Sequence, residues 1–130
     1  FDGSGSSTGV EDYIGYFFSE VAGYSKFGSY VGNLSADGPF VYTGFRPAYV
    51  LIKNLASEAW YLQDSARDTY NVASEYLEAQ SPAIEFTGDG KDFLSNGFKV
   101  RNTYPGQNSS GQSYIYAAFA ESPFKYSSAR

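Results

Sequence analysis

Short apolar runs broken by turn residues constrain the fold of this chain more than any other feature. The runs recur every roughly 8–15 residues, with Gly, Pro, Asn or Asp between them. That rhythm suits short antiparallel strands packed as a sandwich or jelly roll, and not alternating strand–helix units.

Several runs alternate with the period of two that exposes one face of a strand and buries the other. Residues 12–18 form an aromatic run read as a strand, and residues 26–32 alternate bulky and small side chains. Asp37-Gly38-Pro39 is turn chemistry before a short strand at 40–43. Residues 48–53 hold four apolar residues in a row, which predicts a strand buried on both faces. Residues 59–64 return as its hairpin partner. Asn96-Gly97, between 92–95 and 98–101, is a strong hairpin signal. Residues 113–120 form the last strand.

Three stretches are less regular. Ala66, Tyr70, Ala73 and Leu77 recur at helical spacing, so residues 65–80 are either one short helix or a loop leading to a strand at 75–78. Residues 88–91 read as a loop. Residues 102–112 read as a long, exposed polar loop around Tyr104-Pro105. The expected fold is therefore an all-β antiparallel β-sandwich, jelly-roll-like, with about eight to nine strands and at most one short helix near 65–80.

Composition narrows the function. The chain has no Cys and no His. That excludes thiolate zinc sites, iron–sulfur clusters, cysteine nucleophiles, Ser-His-Asp triads and HExxH metal sites. A net charge of −5 without a basic stripe argues against nucleic acid as a partner. No apolar run approaches the roughly 20 residues that cross a bilayer as a helix. Instead the chain carries 13 Tyr, 11 Phe and 14 Gly, more aromatic surface than a small core needs. It begins at Phe1 and contains no Met, which points to a processed product or a segment of a longer protein.

The sequence also repeats itself. Tyr13-Ile14-Gly15-Tyr16-Phe17-Phe18-Ser19-Glu20 aligns with Tyr114-Ile115-Tyr116-Ala117-Ala118-Phe119-Ala120-Glu121, and each copy follows a Gly-Ser-rich loop. Residues 1–23 then read as a linker plus the terminal strand of a preceding repeat, and 24–130 as one module. A stray strand has an exposed edge and must pair, within this chain or with a neighbour.

Two longer stretches carry a family likeness. One runs from Gly23-Tyr24-Ser25-Lys26-Phe27-Gly28-Ser29-Tyr30 through Asp37-Gly38-Pro39-Phe40-Val41-Tyr42 to Phe45-Arg46-Pro47. The other runs from Asp92-Phe93-Leu94-Ser95-Asn96-Gly97-Phe98-Lys99-Val100-Arg101 to Ser113-Tyr114-Ile115-Tyr116 and Pro123-Phe124-Lys125-Tyr126. Together they resemble a domain of unknown function found in tail-fibre and other surface proteins of tailed phages, often in tandem. The match is loosest over residues 57–90. The resemblance implies an exposed virion protein and no reaction.

Candidate sites are few. Glu75, Glu78, Glu85, Asp89 and Asp92 form a pool of carboxylates, but spacing alone brings no two together as a glycosidase pair. Asp89 and Asp92 would fit part of a calcium loop, without its full pattern. No catalytic residue, metal ligand or cofactor is assigned. The ligand-contact candidates are Tyr104, flanked by Asn102 and Asn108 in the polar loop, and Trp60 beside a turn: rings that stack on sugars and amides that bond hydroxyls.

The leading expectation is a non-enzymatic structural or adhesion module on a virion surface, in a tail fibre, capsid fibre or capsid decoration protein. Its partners would be copies of itself (a trimer in a fibre), other virion proteins and a host-surface glycan. It would bind no nucleic acid and insert in no membrane. The alternatives are a free-standing carbohydrate-binding module or lectin, and an extracellular filament subunit assembled by strand donation.

Overall fold

Alternating burial along successive strands closes one sheet over a single core. The computed structural model describes residues 14–56 and 59–122. In order these form β1 (Ser25–Val31), β2 (Phe40–Tyr42), β3 (Pro47–Asn54), β4 (Trp60–Asp64), β5 (Ala73–Glu78), β6 (Phe86–Leu94), β7 (Gly97–Val100), the short helix α1 (Pro105–Asn108) and β8 (Ser113–Ala120). The linker at 1–10, Tyr13 of the repeat and the tail from Pro123 lie outside the described residues.

All eight strands belong to one nearly closed antiparallel sheet, in the order β1-β8-β3-β4-β5-β6-β7-β2. The all-β class and the strand number match the reading of the sequence. The sheet folds so that its two halves face each other. Tyr30, Val50, Ile52, Tyr114, Tyr116 and Ala118 come from β1, β3 and β8; Val41, Ala73, Phe93, Phe98 and Val100 come from β2, β5, β6 and β7. Phe98 stands edge-on to Tyr116 at 5.4 Å and to Tyr30 at 6.3 Å, which joins the halves. Each fully buried Val, Ile or Phe among them contributes about 1.5–3 kcal/mol by leaving water.

The short helix sits where an exposed loop was expected, and residues 65–80 hold no helix. Asp64 Oδ1 accepts from the amides of Ala66 and Arg67, turning the chain after β4. β5 follows, and its pairing with β6 shifts register between Ala73 and Glu75. That irregularity puts buried Ala73 and Tyr76 three residues apart; of the residues at helical spacing, Ala66 and Tyr70 are exposed, and the chain takes the alternative of a loop leading to a strand. Residues 88–91, expected as a loop, lie inside β6. Residues 102–112 fold inward, burying Gly106, Gln107 and Asn108.

Smaller differences have local causes. β3 buries Val50 and Ile52 and leaves Tyr49, Leu51 and Lys53 half-buried, so its second face is only partly covered. In the hairpin of β6 and β7, Leu94 pairs with Gly97, so the two-residue turn is Ser95-Asn96. Gly97 is required for another reason: a Cβ there would meet the Val41 carbonyl oxygen of β2 at 2.1 Å.

The N-terminal run does not form a strand from residue 14 onward. Only Val21 bridges Ser25. Residues 14–20 leave β1 held by Ser25 Oγ, which donates to the Ser19 carbonyl at 2.9 Å, and by Glu20, which accepts from Lys26 Nζ at 2.8 Å and the Phe27 amide at 3.2 Å.

Candidate functional site

Strand parity sorts the remaining side chains into three places: an outer face, a cleft at one end and a polar pocket in the core. The outer face belongs to β1, β8, β3 and β4. Facing away from the core, these strands present Phe27, Ile115, Phe119, Leu51, Trp60 and Leu62. A face left to water in an antiparallel sheet is normally polar; this one is mostly apolar. The N-terminal segment lies over its rim. Phe18 packs on Phe27 and Phe119, with ring centroids 6.1 and 5.7 Å apart, and Tyr24 and Tyr49 also meet the Phe119 edge. Between them runs an apolar groove of about 840 Å³ lined by Tyr16, Phe18, Phe27, Leu51, Trp60 and Ile115. Phe17 is 95% exposed and Ile14 83%.

The cleft lies at α1. Asn54, Tyr61, Tyr104, Pro105, Ser109 and Gln112 are among the residues lining about 420 Å³. The Tyr104 ring stands edge-on to Tyr61 at 5.7 Å, and the two hydroxyls share a hydrogen bond of 3.3 Å. Burial, aided by this bond, holds the Tyr61 hydroxyl well above the usual phenol range.

The four residues expected to touch a ligand do not converge. Tyr104 is half-exposed in the cleft. Trp60 is half-exposed in the outer groove, with Lys53 Nζ 5.5 Å over its ring. Asn102 and Asn108 are buried, and their amides are occupied. Asn102 donates to the Gly90 carbonyl and accepts from the Tyr104 amide. Asn108 donates to the carbonyls of Ser35 and Asn102 and accepts from the Asn33 amide. These two residues fix the loops that shape the cleft and do not offer hydrogen bonds to a ligand.

Carboxylates do not gather either. Asp89 and Asp92, three positions apart on β6, fall on opposite faces, and Asp92 faces Arg101 at 3.4 Å. Glu85 pairs with Arg67, which also reaches Asp64. No group of three or more acidic side chains placed to hold a metal occurs among the described residues.

The core pocket escaped the reading of the sequence. Lys91 points inward from β6 and is 1% exposed. Its Nζ donates to Gln63 Oε1 on β4 and Gln107 Oε1 on α1. Burial lowers its amine to about 7, against the opposing pull of Asp89. Gln63 Nε2 donates to the carbonyls of Ala73 at 3.1 Å and Asp89 at 3.2 Å. Gln107 Nε2, also buried, has no hydrogen-bond partner among the described residues. The signal was parity: Lys91 shares a strand face with Phe93.

No curated protein and no solved structure matches the chain. A family model does, over residues 1–123, and the matched span includes the N-terminal segment as well as all eight strands. The chain belongs to that family, a domain of unknown function (DUF7483).

Proposed function

We propose that the chain is a non-enzymatic structural and adhesion module of a phage virion, exposed on a tail fibre, capsid fibre or capsid surface. In this reading it assembles with copies of itself through the aromatic outer face. The observation that carries the assembly is that face: large apolar side chains stand where a free monomer would place polar ones. The phage assignment rests on the sequence resemblance. Many copies on one particle would compensate for weak single contacts with a host surface.

The test is molar mass in solution by light scattering, on the intact chain and on a version starting at Tyr24. The proposal expects a defined oligomer for the intact chain and a changed state for the shortened one, which lacks Phe18 and Glu20. Monomers in both cases would overturn it.

The cleft favours a second reading, a carbohydrate-binding module. Tyr104 supplies a ring and a hydroxyl, with buried Tyr61 holding it in place, and Asn54, Ser109 and Gln112 supply polar edges. This reading expects saturable glycan binding by a monomer, lost on Tyr104→Ala; a glycan array with no specific signal removes it.

A further inference from the structure

Lysine is almost never buried completely unless a carboxylate pairs with it. Lys91 is buried and meets two carboxamides. A carboxamide is a weak acceptor for a buried cation but also an electrophile. An uncharged amine held at the carboxamide oxygen lies beside the carbon it can attack as a nucleophile. We propose that Lys91 and Gln107 become joined by an intramolecular amide bond, formed by the folded chain itself with release of ammonia.

The atoms balance without any oxidant or co-reactant. Lys91 Nζ, as the neutral amine, adds to Gln107 Cδ. One proton leaves Nζ and one reaches Nε2. The Cδ–Nε2 bond breaks, ammonia departs, and a secondary amide remains. Burial supplies the neutral amine, because it makes the ammonium costly. The fold supplies the orientation, which in intramolecular reactions replaces a very high reactant concentration. Asp89 is the carboxyl that acts on Lys91, and burial holds it above the usual carboxylate range while the Tyr76 side chain hydrogen-bonds it. In the proposed reaction Asp89 takes the proton that Nζ gives up once the amine has added.

The two glutamines are not equivalent. Releasing Nε2 from Gln63 would break its hydrogen bonds to the carbonyls of Ala73 and Asp89. Releasing Nε2 from Gln107 breaks none among the described residues, and it removes a buried donor that has no partner there. The N–H of the new amide still points to Gln63 Oε1. The bond would tie β6 to α1 and so fix the cleft loop to the core. None of this depends on the virion reading.

The experiment is the intact mass of the purified full chain, denatured, followed by peptide mapping. The expected main species is lighter than the sequence by one ammonia and yields a branched peptide joining Lys91 to Gln107. Lys91→Met should restore the full mass, and Asp89→Asn should slow or abolish the loss while near-ultraviolet circular dichroism still reports a folded chain. A full-sequence mass for the unmodified chain would overturn the proposal. So would a deficit mapping to a cyclic imide at Asn96-Gly97, or a branch at Gln63. The first measurement needs no variant, so a substitution that fails to fold leaves the test intact.

Discussion

At the scale of single residues, buried hydroxyls and close backbone contacts set the sharpest expectations. Burial raises the phenols of Tyr30, Tyr61 and Tyr76 above their ordinary value. The unfolded chain ionises these groups near pH 10 while the folded chain keeps its protons, so stability is full below about pH 10 and is lost above it. Urea midpoints from pH 8 to 11 check this. The same titration reads Lys91. A free Lys91, lowered to about 7, would be protonated mainly in the unfolded chain between pH 7 and 10.5, and stability would rise across that window. The amide bond to Gln107 removes the titrating amine, so no such rise is expected. Gly97→Ala would drive a methyl against the Val41 carbonyl and should cost about 1–3 kcal/mol, read from the denaturant midpoint. The need for Gly97 was visible in sequence, but as a turn residue; the strand that crowds it comes from 56 positions earlier and no local pattern reports it.

At the scale of elements, strands with clean alternation were legible and irregular ones were not. β8 occupies the residues read as the last strand, and β3 and β4 pair as the hairpin expected of them. β5 was obscured because Ala66, Tyr70, Ala73 and Leu77 recur at helical spacing, although only Ala73 of the four is buried. The second half of β6 was legible as the first arm of the hairpin at Asn96-Gly97, but residues 88–91 were read as a loop because Gly88, Asp89 and Gly90 are turn formers; long-range pairing with β5 and β7 overrides that preference. The loop before β8 looked exposed because it is polar. Its amides turn inward instead, and Asn108 alone ties Asn33, Ser35 and Asn102 together. Asn108→Ala should leave three backbone groups without partners and lower stability by about 3 kcal/mol or more, with larger hydrogen-exchange rates confined first to residues 32–39 and 101–112. The described parts of the two repeat copies take different conformations. The copy at 114–121 is a central strand, whereas residues 14–20 drape over the rim, and each copy ends on a glutamate that binds a nearby cation, Arg46 for Glu121 and Lys26 for Glu20.

At the scale of the whole molecule, one sheet does two jobs. Its inner side closes on a core, and the outer side of β1, β8, β3 and β4 carries a second set of large apolar residues. Aromatic abundance announced that surplus in the sequence. Its gathering on one face was not legible, because it depends on which four strands lie side by side. Leu51→Lys, which plants a charge in the groove and lies outside the core cluster, should dissociate an assembly built on this face while near-ultraviolet circular dichroism still reports a folded chain; sedimentation velocity would show the shift to monomer. The chain's single tryptophan, Trp60, lies in that groove and reports directly on whether the face is covered. The decisive measurement is therefore Trp60 emission and its quenching by acrylamide, followed from dilute to concentrated protein. Assembly through the outer face predicts a blue shift and falling quenching as copies cover it. Emission and quenching that stay constant over the whole range would contradict it.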